Sequence, residues 1–151
     1  MTSLVRRFLK TAIVFLAAGL AIGGWMIVER EFGGRVVSPY VVSAHTHAIL
    51  VGFVMMMILG VALWMFPRPA KGDLRYRPAL AEIAYWMLTC GTAVRVVGEL
   101  MRSQSEPSWL RWVVVVAGLV QIAGLLLFFA NMWSRIRAVG SKVREDGGER
   151  F

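Results

Sequence analysis

The chain has 151 residues, 58% of them hydrophobic and only 17% charged, with a mean hydropathy of +0.63. That is too apolar for an ordinary soluble domain and too short for more than one compact unit, so it reads as a small integral membrane protein. The net charge of +8 sits beside apolar runs, which points to membrane topology and contact with anionic lipid headgroups and away from nucleic acid.

Four apolar runs are long enough to cross a bilayer, at about 20 residues each. They cover roughly 8–28, 41–66, 78–97 and 109–133. The first follows Arg6-Arg7-Phe8-Leu9-Lys10, a stretch like an export signal. The run is longer than a signal core and lacks a small-residue cleavage site before Trp25, so it reads as a retained helix. Gly19, Gly23 and Gly24 give it a small-residue face suited to close helix contact. The second run opens with Ser38 as a helix cap and Pro39 at the first helical position. It carries the only two histidines, His45 and His47.

The third run holds Glu82 near its start, Thr89, Cys90 and Thr92 midway, and Arg95 and Glu99 at its end. Arg95 and Glu99 are spaced i, i+4 and can pair. The fourth run carries Gln121 at the depth of the threonines, which suits interhelical hydrogen bonding. Met55, Met56 and Met57 diverge by about 100° each on a helix, so at most one faces His45. Cys90 has no partner for a disulfide.

The connections between runs are short, which forces neighbours to pack antiparallel. The expected fold is an all-α, four-transmembrane-helix up-down bundle over residues 1–139, followed by a disordered cytoplasmic tail over 140–151. Lysines and arginines hold loops on the cytoplasmic side. Arg6, Arg7, Lys10, Arg68, Lys71, Arg75, Arg77, Arg135, Arg137, Lys142, Arg144 and Arg150 fall on one face; Arg30, Arg35, Arg102 and Arg111 fall on the other. Both termini are therefore expected in the cytoplasm of a bacterial-type inner membrane, with His45 and His47 near the outer leaflet.

Two residues of helix rotate a side chain by about 200°. His45 and His47 thus point to opposite faces, which is poor geometry for a one-helix metal clip of the i, i+4 kind. The His45 face continues through Ile49, Gly52, Met56 and Leu59, and the His47 face through Val51, Val54, Ile58 and Val61. A glycine two turns below a histidine leaves room for a flat macrocycle, so His45 is the better axial-ligand candidate. The competing reading makes both histidines hydrogen-bonded interface residues. Ionisable groups within a membrane are costly enough to count as functional candidates by default.

The segment Ala44-His45-Thr46-His47-Ala48-Ile49-Leu50-Val51, with Gly60 and then Leu63-Trp64-Met65-Phe66-Pro67, resembles the second transmembrane helix of subunit I in heme-copper oxidases and nitric oxide reductases. The resemblance extends to short relatives of the cbb3-type subunit. It implies heme b as cofactor with His45 as an axial ligand near the outer face, and His47 where the family often has a non-ligating polar residue. Beside the Arg95–Glu99 pair stands a functional alternative, in which Arg95, with Arg35 or Arg102, neutralises heme propionates, because a guanidinium offers two parallel donors to a carboxylate. No histidine is left here for the family's copper, its high-spin heme or the second axial position of its low-spin heme. The chain is therefore not expected to be a complete oxidase or reductase. The second axial ligand would come from His45 or His47 of another protomer, from a methionine such as Met56, or from a respiratory-complex partner.

Three functions follow as expectations. The first is a heme-binding membrane protein acting in electron transfer, gas sensing or as an accessory in respiration. The second is a copper- or metal-handling protein in which His45 and His47 of several protomers bind ions. The third is a structural or assembly subunit without cofactor.

Overall fold

The structure, a computed structural model, describes residues 3–34, 36–67, 76–105 and 107–136. Four long helices account for nearly all of it: α1 (Ser3–Gly33), α2 (Pro39–Met65), α3 (Pro78–Arg102) and α4 (Ser108–Arg135). Each is long and apolar enough to cross a membrane. Helices are the natural outcome, because hydrocarbon offers no partner to a free backbone N–H or C=O. The expected tail over 140–151 lies outside the described residues.

The helix limits run past the apolar runs where charged side chains are satisfied by the fold. α3 continues to Arg102 because Arg95, Glu99 and Arg102 all find partners, whereas the apolar run stops at 97. α1 begins at Ser3 and ends in a π turn over Glu29–Gly33, after which Gly34 takes the left-handed conformation at φ 64°. The Ser38 side chain accepts a hydrogen bond from the Tyr40 N–H, and Pro39 stands at the first helical position.

α2 is not α-helical throughout. Residues Ala48–Met55, directly after the histidines, form a π-helix, and α-helical geometry resumes at Met56. Its buried face repeats every four residues, at Ala44, Ala48, Gly52 and Met56. Four residues advance about 400° in an α-helix, so three such steps would rotate the stripe by about 120°. The wider i→i+5 turns cancel part of that drift and keep the face on its neighbours.

Successive helices run antiparallel. Gly19 meets Ile49, Gly52 meets Phe15 and Gly60 meets Phe8, which fixes α1 against α2. Ser43 bonds Glu99 and Tyr40 bonds Arg102, which fixes α2 against α3. Gly91, Gly98 and Gly124 bring α3 and α4 close; a Cβ on Gly91 would lie 3.2 Å from the Ala117 carbonyl oxygen. Small residues at such crossings allow the backbone approach that holds helices together in lipid. Gly24, by contrast, has open space where its Cβ would be.

Both ends of the described chain lie at one end of the array, and all four helices meet there around Phe8, Met56, Leu59, Tyr85, Leu88 and Phe128. Phe8 packs edge-on against Tyr85 at 5.1 Å and Phe128 at 5.9 Å between ring centroids. At the opposite end the described residues form a small apolar cluster, from Ala44, Ala48 and Val96 with Ile22 and Leu100. The outer surface is apolar, with Trp25, Trp64, Trp109, Trp112 and Trp133 exposed near helix ends, as in the aromatic belts of membrane proteins.

Candidate functional site

The end remote from the termini holds both histidines, and the helix sends them apart. His45 turns to α1. Its Nδ1 lies 2.9 Å from the Gly19 carbonyl oxygen, and a Cβ on Gly23 would meet the ring at 2.8 Å from Cε1. A carbonyl oxygen only accepts, so Nδ1 carries the proton and donates it. Nε2 is then the nitrogen with the free lone pair, the arrangement of a histidine oriented for ligation by a hydrogen bond at its other nitrogen.

His45 lines a partly open groove of about 890 Å³ between α1 and α2, with Gly23, Gly24, Met26, Arg30 and Val42 among its other walls. That volume falls within the range of small-molecule and cofactor sites, about 300–1,000 Å³. The two glycines hollow the α1 wall, and the surface is mostly apolar with Arg30 and Glu31 at one end. Arg30 pairs with Glu31 at 3.2 Å, and both are exposed.

His47 turns the other way and enters a polar layer between α2, α3 and α4. Its Nδ1–H donates to the Ser43 carbonyl oxygen at 2.8 Å and lies 3.4 Å from Glu99 Oε2. Ser43 Oγ donates to Glu99 Oε1 at 2.9 Å. Arg95 donates through Nε to the same Oε1 at 3.1 Å and through NH1 to Gln121 Oε1 at 3.1 Å. Gln121 donates in turn to Thr92 at 2.9 Å. Beside this layer the Arg102 guanidinium donates to the Tyr40 hydroxyl at 2.6 Å and stacks over the same ring. Glu99 is 3% exposed, so its charge is held by these partners and not by water.

The sequence candidates therefore divide. His45 alone among them faces the groove. Gly52 lies on the His45 side, but the Phe15 ring of α1 occupies the space where its Cβ would be. Met56 is fully buried in the apolar cluster at the termini end. Arg95 makes the i, i+4 pair expected of it and is bound into the polar layer with His47. Arg35 lies outside the described residues. Gln121 and Thr92 form the expected interhelical hydrogen bond. Cys90 is exposed.

Sequence reasoning missed Met26 and Arg30, which share the groove with His45. The only signal was that Met26 follows Gly23 by one helical turn. It also missed the contact of His47 with Glu99. Among the described residues no three or more His, Cys, Asp or Glu side chains gather to hold a metal ion. His45 and His47 of one chain face different helices.

Such an array, apolar outside, with polar side chains bridging its helices and a histidine-lined groove at one end, is that of a multi-pass helical membrane protein. Residues 3–147 match the family Cytochrome C and Quinol oxidase polypeptide I, and the chain belongs to it. Neither a curated protein nor a solved structure matches the chain. The resemblance carried by the His45 segment thus extends over almost the whole sequence.

Proposed function

We propose that the protein is an integral membrane heme b-binding protein in which His45 is an axial ligand, serving electron transfer, gas sensing or an accessory role in respiration. The observation that carries this reading is the hydrogen bond from His45 Nδ1 to the Gly19 carbonyl, which leaves Nε2 free beside the groove. Membership of an oxidase subunit I family supports it. Heme bound there would supply a one-electron iron couple, tuned by its axial ligands and the polarity of its surroundings.

The groove's chemistry fits that group. Its walls are largely apolar, as the macrocycle requires, and Arg30 brings a guanidinium to one end where a propionate carboxylate can be paired. Arg30 takes that role in place of Arg95, which is not among the groove's walls and whose Nε and NH1 are bound to Glu99 and Gln121. A copper- or metal-handling role would draw on His45 and His47 of several protomers, since the two face different helices within one chain. The proposed setting is a bacterial-type inner membrane with both termini cytoplasmic, and the proposed partners are a second copy or a respiratory complex.

The test is an absorption spectrum of purified, heme-supplied protein, oxidised and reduced. A Soret band that persists in His47→Ala and disappears in His45→Ala is the expected result. Heme-free wild-type protein after supply of heme would sink the proposal; metal analysis of the same sample then tests ion handling.

A further inference from the structure

One histidine supplies one axial position, and the question is what stands on the other side of the iron. His47 is turned to the opposite face, with Nδ1–H on the Ser43 carbonyl and Glu99 adjacent. Met56 is buried in the apolar cluster at the termini end, where Met55 and Met57 also pack. Cys90 is exposed on α3 and is not among the groove's walls. Along the groove itself the side chains with donor atoms are His45, Met26, Arg30 and Glu31. Arg30 has no lone pair to give, and the Glu31 carboxylate is an exposed, hard oxygen donor, a poor match for an iron that also takes imidazole.

Met26 remains, and its chemistry is suitable. A thioether sulfur is a neutral, polarisable ligand that pairs with imidazole on low-spin heme and raises its potential relative to two imidazoles. Its placement is suitable too. Met26 stands on α1 one helical turn beyond Gly23, the residue against which the His45 ring rests, and both side chains line the same hollow. Gly24, with open space at its missing Cβ, keeps that wall of α1 recessed between them.

We infer that Met26 is the second axial ligand, so that α1 and α2 of a single chain supply a histidine–methionine pair to one heme. The inference rests on the heme reading above and sharpens it: the chain completes its own coordination and needs no second copy to do so.

The test uses the full-length, heme-loaded protein and reads spectra and potentials. Wild-type ferric protein should be six-coordinate and low-spin, with the weak sulfur-to-iron charge-transfer band at the red end of the visible spectrum. Met26→Leu, which nearly conserves volume, should become high-spin, lose that band and bind carbon monoxide in its ferrous form at least about tenfold more tightly. Met26→His should restore the low-spin spectrum at a lower midpoint potential; if Met26→Leu retains no heme, Met26→His decides the matter by the same criterion. Met65→Leu, at an exposed site at the other end, should change nothing. A wild-type low-spin spectrum without the sulfur band, or one that survives in Met26→Leu, overturns the assignment of Met26 while leaving heme binding intact. Failure of the wild type to take up heme overturns both.

Discussion

The two ends of the array are built on opposite principles. At the termini end, four helices close around aromatic and aliphatic side chains, and the polar groups there act as clasps: Arg7 pairs with Glu82 at 2.6 Å, and Thr11 bonds Tyr85 at 2.8 Å. At the histidine end, the apolar cluster shrinks to a few residues, a charged layer sits between α2, α3 and α4, and a groove opens between α1 and α2. The first end holds the helices together, and the second carries side chains whose cost in a membrane needs a reason. At the histidine end the groove of α1 and α2 and the buried polar layer face different helices, so groove substitutions should leave packing readable and packing substitutions should leave the groove readable.

His45→Ala should test that separation most severely, with complete loss of the Soret band while circular dichroism and the thermal transition in detergent match those of heme-free wild type. Glu99→Leu should do the reverse, since it strands the Arg95 guanidinium in a buried layer. Removal of one partner of a buried pair costs about 3 kcal/mol or more, read as a fall in unfolding free energy. Phe8→Ala at the termini end should cost about 2 kcal/mol, because in lipid the loss is of packing and not of transfer from water. Its heme spectrum should be unchanged, and a shift would show that the ends are coupled.

Smaller changes sharpen the picture at the groove. Gly23→Ala would press on the His45 ring, 2.8 Å from the new Cβ, and loosen its bond to the Gly19 carbonyl. Loss of such an orienting contact weakens ligation by about tenfold or more, measurable by heme titration of apo-protein. Arg30→Gln should have the mildest effect, a roughly two- to fivefold weaker retention that vanishes at high salt, as for an exposed ion pair. An Arg30→Gln variant that binds as tightly at low salt as the wild type would remove the propionate role.

Much of this was legible in the sequence. The four spans followed from hydropathy, and the divergence of His45 from His47 followed from helical rotation. The Arg95–Glu99 pair and the Gln121–Thr92 bond followed from spacing and depth. What the sequence concealed was which neighbour fills each gap. Gly52 reads as an opening beneath His45, but a missing side chain on one helix is space only until another helix uses it, and Phe15 does. The π-helix over Ala48–Met55 leaves no mark in a run of uniformly apolar residues, yet it changes which of them share a face. Met26 and Arg30 belong to no motif, and only the packing of α1 on α2 brings them to the hollow that His45 lines.

The clasp at Arg135 has a consequence for how the molecule comes into being. This side chain, 5% exposed, donates to the carbonyl oxygens of Leu63, Phe66 and Pro67, closing the end of α2 from the end of α4. Terminal carbonyls of a helix lack partners of their own, and the cation that satisfies them lies about 70 residues later in the chain. Until the fourth helix is in place the last turn of α2 has only water to satisfy those carbonyls, so docking of the final span works as a latch on the second.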